Sequence, residues 1–306
     1  MIEKIEEKSY RDIKQISQSS LKDVLTLSCK EFYYKQKHGV KQTDAMFKGT
    51  EIHRIALEGH EVTTEDYVLD KWVTITGRDR RGKHLFTPEQ HLEAFGVEIK
   101  EKKTIGPKVY KEHLQKIRNN KIEAIGKKPE DHPDLYPIVK HEDLADIEGT
   151  AKAIEDRYGR FLAKGTPEIA IHSIELEGVM CKGLLDFLPD KGYIFDLKTT
   201  GTPLNDREIK KHLNNDFWKI QAAFYHDLLL AETGESRPFA FFVVQTKPPY
   251  STRTVVIQPE DMLNGREAYI KALEIYKEWE TLKPEERHDW PKFDTNDKTN
   301  IFWENF

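Results

Sequence analysis

The sequence predicts an α/β protein: a central mixed β-sheet flanked by helices, preceded by an N-terminal helical portion. Three observations predict it. Apolar residues recur at helical spacing through most of the first 60 residues. Alternating or wholly apolar runs cluster between residues 168 and 257. One helix-length run, 217–234, separates those strand candidates into two groups.

The elements follow in order. Ser19 and Ser20 can cap a helix through Leu21, Val24 and Leu25 toward Tyr33, and a second helix covers Ala45 to Leu57. Residues 61–140 are the least periodic part, with TGRDRRGK at 76–83 as a basic loop. Residues 142–164 are helical again, carrying Leu144, Ile147, Ala151, Ile154, Tyr158 and Leu162 at helical spacing, and stop at Gly165. EIAIHSIEL (168–176) and VMCKGLLDFL (179–188) read as strands. The turn Pro189-Asp190-Lys191-Gly192 leads into YIFDLKT (193–199), apolar enough to be central in a sheet. After the 217–234 helix come strands at 239–246 and 252–257, then an amphipathic helix over about 260–280. The polar tail, 281–306, carries Trp290, Phe293, Phe302 and Trp303, which must pack somewhere. The whole reads as a single domain with an N-terminal portion (1–140), an α/β core (141–280) and the tail.

Hydrophobic residues make up 38% and charged residues 33%, the proportions of a chain that can bury a sizeable core. No run approaches the roughly 18 apolar residues of a membrane helix, and the charged start MIEKIEEKSYRDIK has no secretory h-region, so the expected compartment is the cytoplasm. Cys29 and Cys181, the only two cysteines, cannot by themselves hold an iron–sulfur cluster or a four-cysteine zinc site and read as buried small hydrophobes. A net charge of −5 weakly disfavours nucleic acid without excluding it, because carboxylates can gather at a metal while basic residues line a groove.

Asp186 and Asp196 lie on two strands joined by the Pro189–Gly192 turn, and Asp196 and Lys198, two apart, share one strand face. Asp-x-Lys alone is a common strand-end ion pair. Here it sits in an apolar strand beside Tyr193, Ile194 and Phe195, where carboxylates are costly to bury without compensation. A divalent cation compensates, and hard oxygen ligands favour Mg²⁺, with Mn²⁺ as a substitute. Such a site hydrolyses phosphodiesters, with Lys198 positioning the attacking water or neutralising charge on the phosphate. Gln221 and Tyr225, four apart, share a helix face.

This ordered series resembles the PD-(D/E)XK nuclease superfamily, in its RecB-like and lambda-exonuclease-like branch. The elements are Gly49 to His53 (GTEIH), Glu168, Gly183 to Asp186 (GLLD), Asp196-Leu197-Lys198, and Gln221 to Tyr225 (QAAFY). ISQSSLKDVLTLSCKEFYYKQ followed by DAMFKGTEIHRIALEG resembles the RecE type of phage-recombination exonucleases. The resemblance, over about residues 15–260, implies a restriction-endonuclease-like core. It implies Asp186, Asp196 and the Leu197 carbonyl as metal ligands, His53 and Glu168 as further candidates, Lys198 as the catalytic lysine, and Gln221 and Tyr225 as supports. Glu175 and Glu177 compete with Glu168 for its role; strand alternation groups Glu168 with Ala170 and His172. Without the motif series, His53 would read as a surface or capping group. His172 and His226 read as packing or surface residues.

The resemblance further implies 5′→3′ digestion of linear duplex DNA, a single-strand annealing partner, and a homo-oligomeric ring around the DNA. Arg78, Arg80, Arg81 and Lys83 are candidates for phosphate contacts, and the flanking Trp72 and Phe86 for stacking at a DNA end. Other readings stay open: a Cas4-type or other RecB-like nuclease, although Cas4-type proteins generally carry four cysteines; a structure-specific endonuclease; and an inactive DNA-binding assembly subunit.

Overall fold

The computed structural model describes residues 1–5, 7–40, 43–60, 67–78, 81–132, 135–215, 217–283 and 285–287. The tail aromatics Trp290, Phe293, Phe302 and Trp303 lie outside the described residues. The chain forms two compact units: Met1–Lys41, Ala56–Glu58 and Lys152–Phe306 make the first, and Gln42–Ile55 with Gly59–Ala151 the second.

The described elements begin with β1 (Ile2–Lys4), α1 (Glu7–Asp12), α2 (Gln18–Thr26), α3 (Cys29–His38) and α4 (Asp44–Glu58). Then come β2 (Val68–Asp70), α5 (Trp72–Thr76), β3 (His84–Phe86), α6 (Pro88–Phe95), β4 (Lys103–Ile105), α7 (Pro107–Ala124) and β5 (Ile138–Lys140). α8 (His141–Leu162) leads to β6 (Gly165–Leu176), β7 (Val179–Pro189) and β8 (Ile194–Thr200). The chain continues with α9 (Asp206–Asn215), α10 (Trp218–Thr233), β9 (Phe239–Gln245), β10 (Thr252–Val256) and α11 (Pro259–Thr281).

The fold of the first unit is mixed α/β. Its six-stranded sheet runs β1-β6-β7-β8-β9-β10. All its pairings are antiparallel except β8 with β9, which are parallel because α9 and α10 form the crossover between them. α10 is apolar almost all round, with Ile220, Ala222, Ala223, Phe224, Leu228 and Leu229 buried, as a helix covered on every side must be. Cys29 and Cys181 are both buried in this core.

Two differences from the sequence-based expectation concern the N-terminus. The helix expected from Ser19 and Ser20 to Tyr33 is two helices. Ser17, not Ser19 or Ser20, caps α2, its Oγ accepting from the Ser20 N–H at 3.4 Å. The break follows Thr26 because Ser28 and Glu31 form a capping box: Ser28 Oγ accepts from the Glu31 N–H and Glu31 Oε2 from the Ser28 N–H. β1 is a strand only because β6 supplies its ladder, Ile2 facing Ile171 and Lys4 facing Ile169.

The second unit has its own core of Val68, Trp72, Ile75, Phe86, Ala94, Ile105, Tyr110 and Leu114. The 18-residue α7 falls in the stretch whose sequence looks aperiodic. Its inward stripe is Tyr110, Leu114, Arg118 and Ile122, and a buried arginine in that stripe masks the apolar repeat. Trp72 and Phe86 are core residues, 1% and 0% exposed, rather than surface rings placed to stack on DNA.

Candidate active site

Asp186 stands on β7, half-buried, and faces the place where β7 and β8 part. The two strands pair only at Phe187 and Phe195. Beyond that rung Asp186 Oδ2 accepts the Leu197 N–H at 2.8 Å, so a side chain takes a backbone donor that the ladder would otherwise use. At the far end of β7 the same edge is taken by Ile16, which donates to Met180 O at 3.0 Å and accepts from the Lys182 N–H at 2.7 Å. The gap in the sheet is therefore held open from both ends.

Glu168 stands on β6 between the paired positions Pro167–Phe187 and Ile169–Leu185, in the rung of Asp186. A Glu168 carboxylate oxygen and one of Asp186 lie within 4.8 Å of each other. Glu168 has φ +54°, a left-handed conformation that costs a side chain of this kind about 1 kcal/mol or more. Glu175 lies beyond the irregularity between His172 and Ile174, in the rung of Met180, and so away from Asp186.

Asp196 and Lys198 do share one face of β8. Lys198 Nζ lies 2.5 Å from Asp196 Oδ1, the aspartate side chain being 2% exposed and the lysine 23%. Gln221 Nε2 donates to Asp196 Oδ2 at 2.5 Å. Lys198 also lies over the Phe241 ring, 5.4 Å from its centre. The structure thus brings Glu168 to Asp186, and Gln221 and Lys198 to Asp196, with the Leu197 backbone joining the two groups.

Gly183, three residues before Asp186, is where α10 meets β7. A Cβ there would lie 2.8 Å from Leu228 Cδ1 and 3.1 Å from Tyr225 Cδ1 and Cε1. The absence of a side chain lets Tyr225 reach the site. Burial pushes the Tyr225 phenol well above its usual range; Tyr10, Asp196 and Asp186 push it the same way, opposed by the hydrogen bond with Gln221. Tyr10, on α1, is thus a neighbour of the site that the sequence does not single out, since an aromatic in a short charged helix gives no signal of where it packs. Burial also raises the Asp186 carboxyl, against the Lys198 charge and the Leu197 N–H, which lower it.

The donor set fits a hard divalent cation. Two carboxylates converge across β6 and β7, and a third carboxylate and a lysine follow on β8. A neighbouring dication offsets the burial that now disfavours ionised Asp186.

His53 is half-buried on α4, among the residues of the second unit. Arg78, Arg81 and Lys83 line one cavity of that unit, and Arg80 lies outside the described residues. His172 and His226 are buried and hydrogen-bonded, to Glu3 Oε1 at 2.7 Å and Asp227 Oδ1 at 2.7 Å.

Residues 17–288 match a family model described as a PDDEXK-like domain of unknown function (DUF3799). The crystal structure of a protein described as a "putative exonuclease" from Eubacterium rectale is 13% identical, covers 90% of this chain and 88% of its own, and superimposes with a TM-score of 0.55. That likeness is one of fold. A second crystal structure, SSO0001, covers 76% of this chain and 86% of its own at 12% identity, with a TM-score of 0.25. No curated protein matches the chain.

Proposed function

Because the chain belongs to the PDDEXK-like domain family DUF3799, within the PD-(D/E)XK nuclease superfamily and with its restriction-endonuclease-like fold, we propose that it is a metal-dependent DNA exonuclease. In this reading it degrades linear duplex DNA 5′→3′ and leaves 3′ single-stranded overhangs for recombination by strand annealing. The observation that carries the nuclease reading is the convergence of Glu168 and Asp186 beside the Asp196–Lys198 pair. Polarity, the annealing partner, the homo-oligomeric ring and a cytoplasmic setting in a bacterial or phage-infected cell rest on the RecE-like N-terminal motifs. Among the described residues, no helix is long and apolar enough to cross a membrane.

Glu168, Asp186, Asp196 and the Leu197 carbonyl would hold Mg²⁺ or Mn²⁺, with His53 assigned to the same role from the motif series. The bound metal supplies a water of lowered pKa and a counter-charge for the phosphate. Hydrolysis joins the water oxygen to phosphorus and breaks the bond to the leaving sugar oxygen, which takes a proton. The Lys198 ammonium, held by Asp196 at 2.5 Å, stands to orient the attacking water and to stabilise charge on the phosphate oxygens. Gln221 fixes Asp196, and the Tyr225 phenol, kept protonated, offers a neutral O–H donor toward the gap.

The test uses purified protein, Mg²⁺, and linear duplex DNA labelled separately at its 5′ and 3′ ends, beside a covalently closed circle. Early release of 5′ label as mononucleotides, an intact circle, and no activity in EDTA or in Lys198→Ala are the expected results. Cutting of the closed circle makes the chain an endonuclease. No cleavage with Mg²⁺ or Mn²⁺ overturns the enzymatic reading and leaves a DNA-binding assembly subunit.

A further inference from the structure

The second unit has a cavity of about 330 Å³ lined by Trp72, Arg78, Arg81, Gly82, Lys83 and His84. We propose that this cavity is a binding site for a phosphate group carried on a nucleic acid strand. The phosphate chemistry stands on the cavity alone; the choice of nucleic acid as its carrier rests on the nuclease reading.

Two arginines, a lysine and a histidine converge on one concavity, and no acidic side chain is among the described residues that line it. Cationic side chains gathered in one concavity favour an anion there. Arginine forks match the tetrahedral oxygens of phosphate in a way that a scattered cationic surface does not.

The frame around the cavity is braced. Thr76 Oγ1 donates to Trp72 O at 2.8 Å and accepts from the Arg78 N–H at 3.3 Å, which fixes the turn where α5 ends. Gln90 Nε2 donates to Ile75 O at 2.8 Å, and its Oε1 lies 3.4 Å from His84 Nε2, tying α6 to both walls. Trp72, whose N–H is held by Asp70 Oδ1 at 3.1 Å, packs 5.5 Å from the Phe86 ring and 5.1 Å from Tyr110. Arg78, Arg81 and Lys83 are exposed and His84 is half-buried, in a stretch flanked by the core residues Ile75 and Phe86. Their chemistry fits a strand phosphate approached from solvent rather than a small molecule enclosed on all sides.

The test measures binding, not cleavage. The full chain in EDTA is titrated against a short fluorescein-labelled oligonucleotide, followed by anisotropy. The oligonucleotide is used with and without a terminal phosphate, and inorganic phosphate serves as competitor. The double variant Arg78→Gln/Arg81→Gln is compared with Arg157→Gln/Arg160→Gln, which removes two exposed arginines from the first unit. Expected is binding weakened about tenfold or more in the first variant only, with a salt slope shallower by about 1 to 2. Lys83→Gln should show a smaller loss in the same direction, and Arg78→Lys/Arg81→Lys should recover part of it, so the result does not hang on one variant's folding. Equal binding by wild type and the Arg78/Arg81 variant, or equal loss in both double variants, overturns the site. Inorganic phosphate binding without oligonucleotide binding keeps the anion site and overturns the strand as its source. Loss of the terminal phosphate with no change in affinity makes the ligand an internal phosphodiester. Cleavage by the wild-type chain, scored separately, decides the nuclease reading whatever the binding shows.

Discussion

Asp186 Oδ2 takes the Leu197 N–H at 2.8 Å in the gap where β7 and β8 separate. The carboxylate is thereby locked to the strand that carries Asp196 and Lys198, and a change at either end of this bond is felt at both halves of the site. Since burial also raises the Asp186 carboxyl, ionised Asp186 is a cost to the metal-free fold.

Asp186→Asn follows from this. The amide oxygen still accepts from Leu197, and the buried charge is gone. Metal-dependent cleavage should fall by on the order of 100- to 1000-fold. Melting in EDTA at pH 7 should rise, and the shift produced by Mg²⁺ should shrink. A raised carboxyl pKa means that stability drops as pH climbs past the unfolded value near 4, so the gain should fade at acid pH. An unchanged metal-induced shift in the variant would remove Asp186 from the ligand set.

Gln221→Leu strands Asp196 Oδ2, which is held by Gln221 Nε2 at 2.5 Å in a site 2% exposed. The expected loss of stability is about 1 to 3 kcal/mol, read by urea unfolding. Activity should fall with it, because Lys198 is positioned through the same aspartate.

Gly183→Ala places a methyl 2.8 Å from Leu228 and 3.1 Å from the Tyr225 ring. Overpacking of this kind costs about 1 to 3 kcal/mol. Activity should decline more than in Tyr225→Phe, since the alanine displaces the whole helix face and the phenylalanine removes one hydroxyl. Cleavage and chemical unfolding of the two variants, measured side by side, check the order.

The pH dependence of stability should show a buried cluster remote in role from the site. Asp227 accepts from Arg266 Nε and Nη2 at 2.6 Å each and from Tyr269 Oη at 2.5 Å, and lies 2.7 Å from His226 Nδ1. Burial pushes its carboxyl up, yet the bonds from Arg266, His226 and Tyr269 outweigh that and hold it far below the usual range. A depressed carboxyl pKa gives stability that is present above the unfolded value of about 3.9 and lost as pH falls below it. Asp227→Ala should therefore cost on the order of 3 kcal/mol at pH 7, with the gap to wild type narrowing under strong acid. A gap constant from pH 7 to pH 2 would count against the assignment.

Cysteine reactivity is a further check. Burial pushes the Cys181 thiol up to about 12, and Cys29 is 5% exposed. Neither should be alkylated in the native chain at pH 8, and both should react in denaturant. Rapid native labelling at Cys181 would show that the strand interior opens.

Much of the site is legible in the spacing of its motifs. Asp196 and Lys198 share a face because strand side chains alternate, and Gln221 and Tyr225 share one because four residues close a helical turn. The strand and helix runs from 168 to 281 are similarly readable where their apolar patterns are strong, whereas α9, a polar run with Ile209 buried, is not. Elements that borrow their stability are not: β1 exists through β6, α3 begins where Ser28 and Glu31 cap it, and α7 hides its stripe behind Arg118.

By itself the sequence determined the residue types, the local faces and the order of the motifs, since these depend on spacing along one element. Only the tertiary structure decided which carboxylates meet. Glu168 and Asp186 lie in one rung through the register of β6 on β7, and Glu175 is excluded because its rung is that of Met180, well along β7 from Asp186. Leu197 reaches Asp186 because the sheet opens after a single β7–β8 rung. Register and strand separation are set by packing across the whole sheet, over sequence distances at which no local pattern carries information.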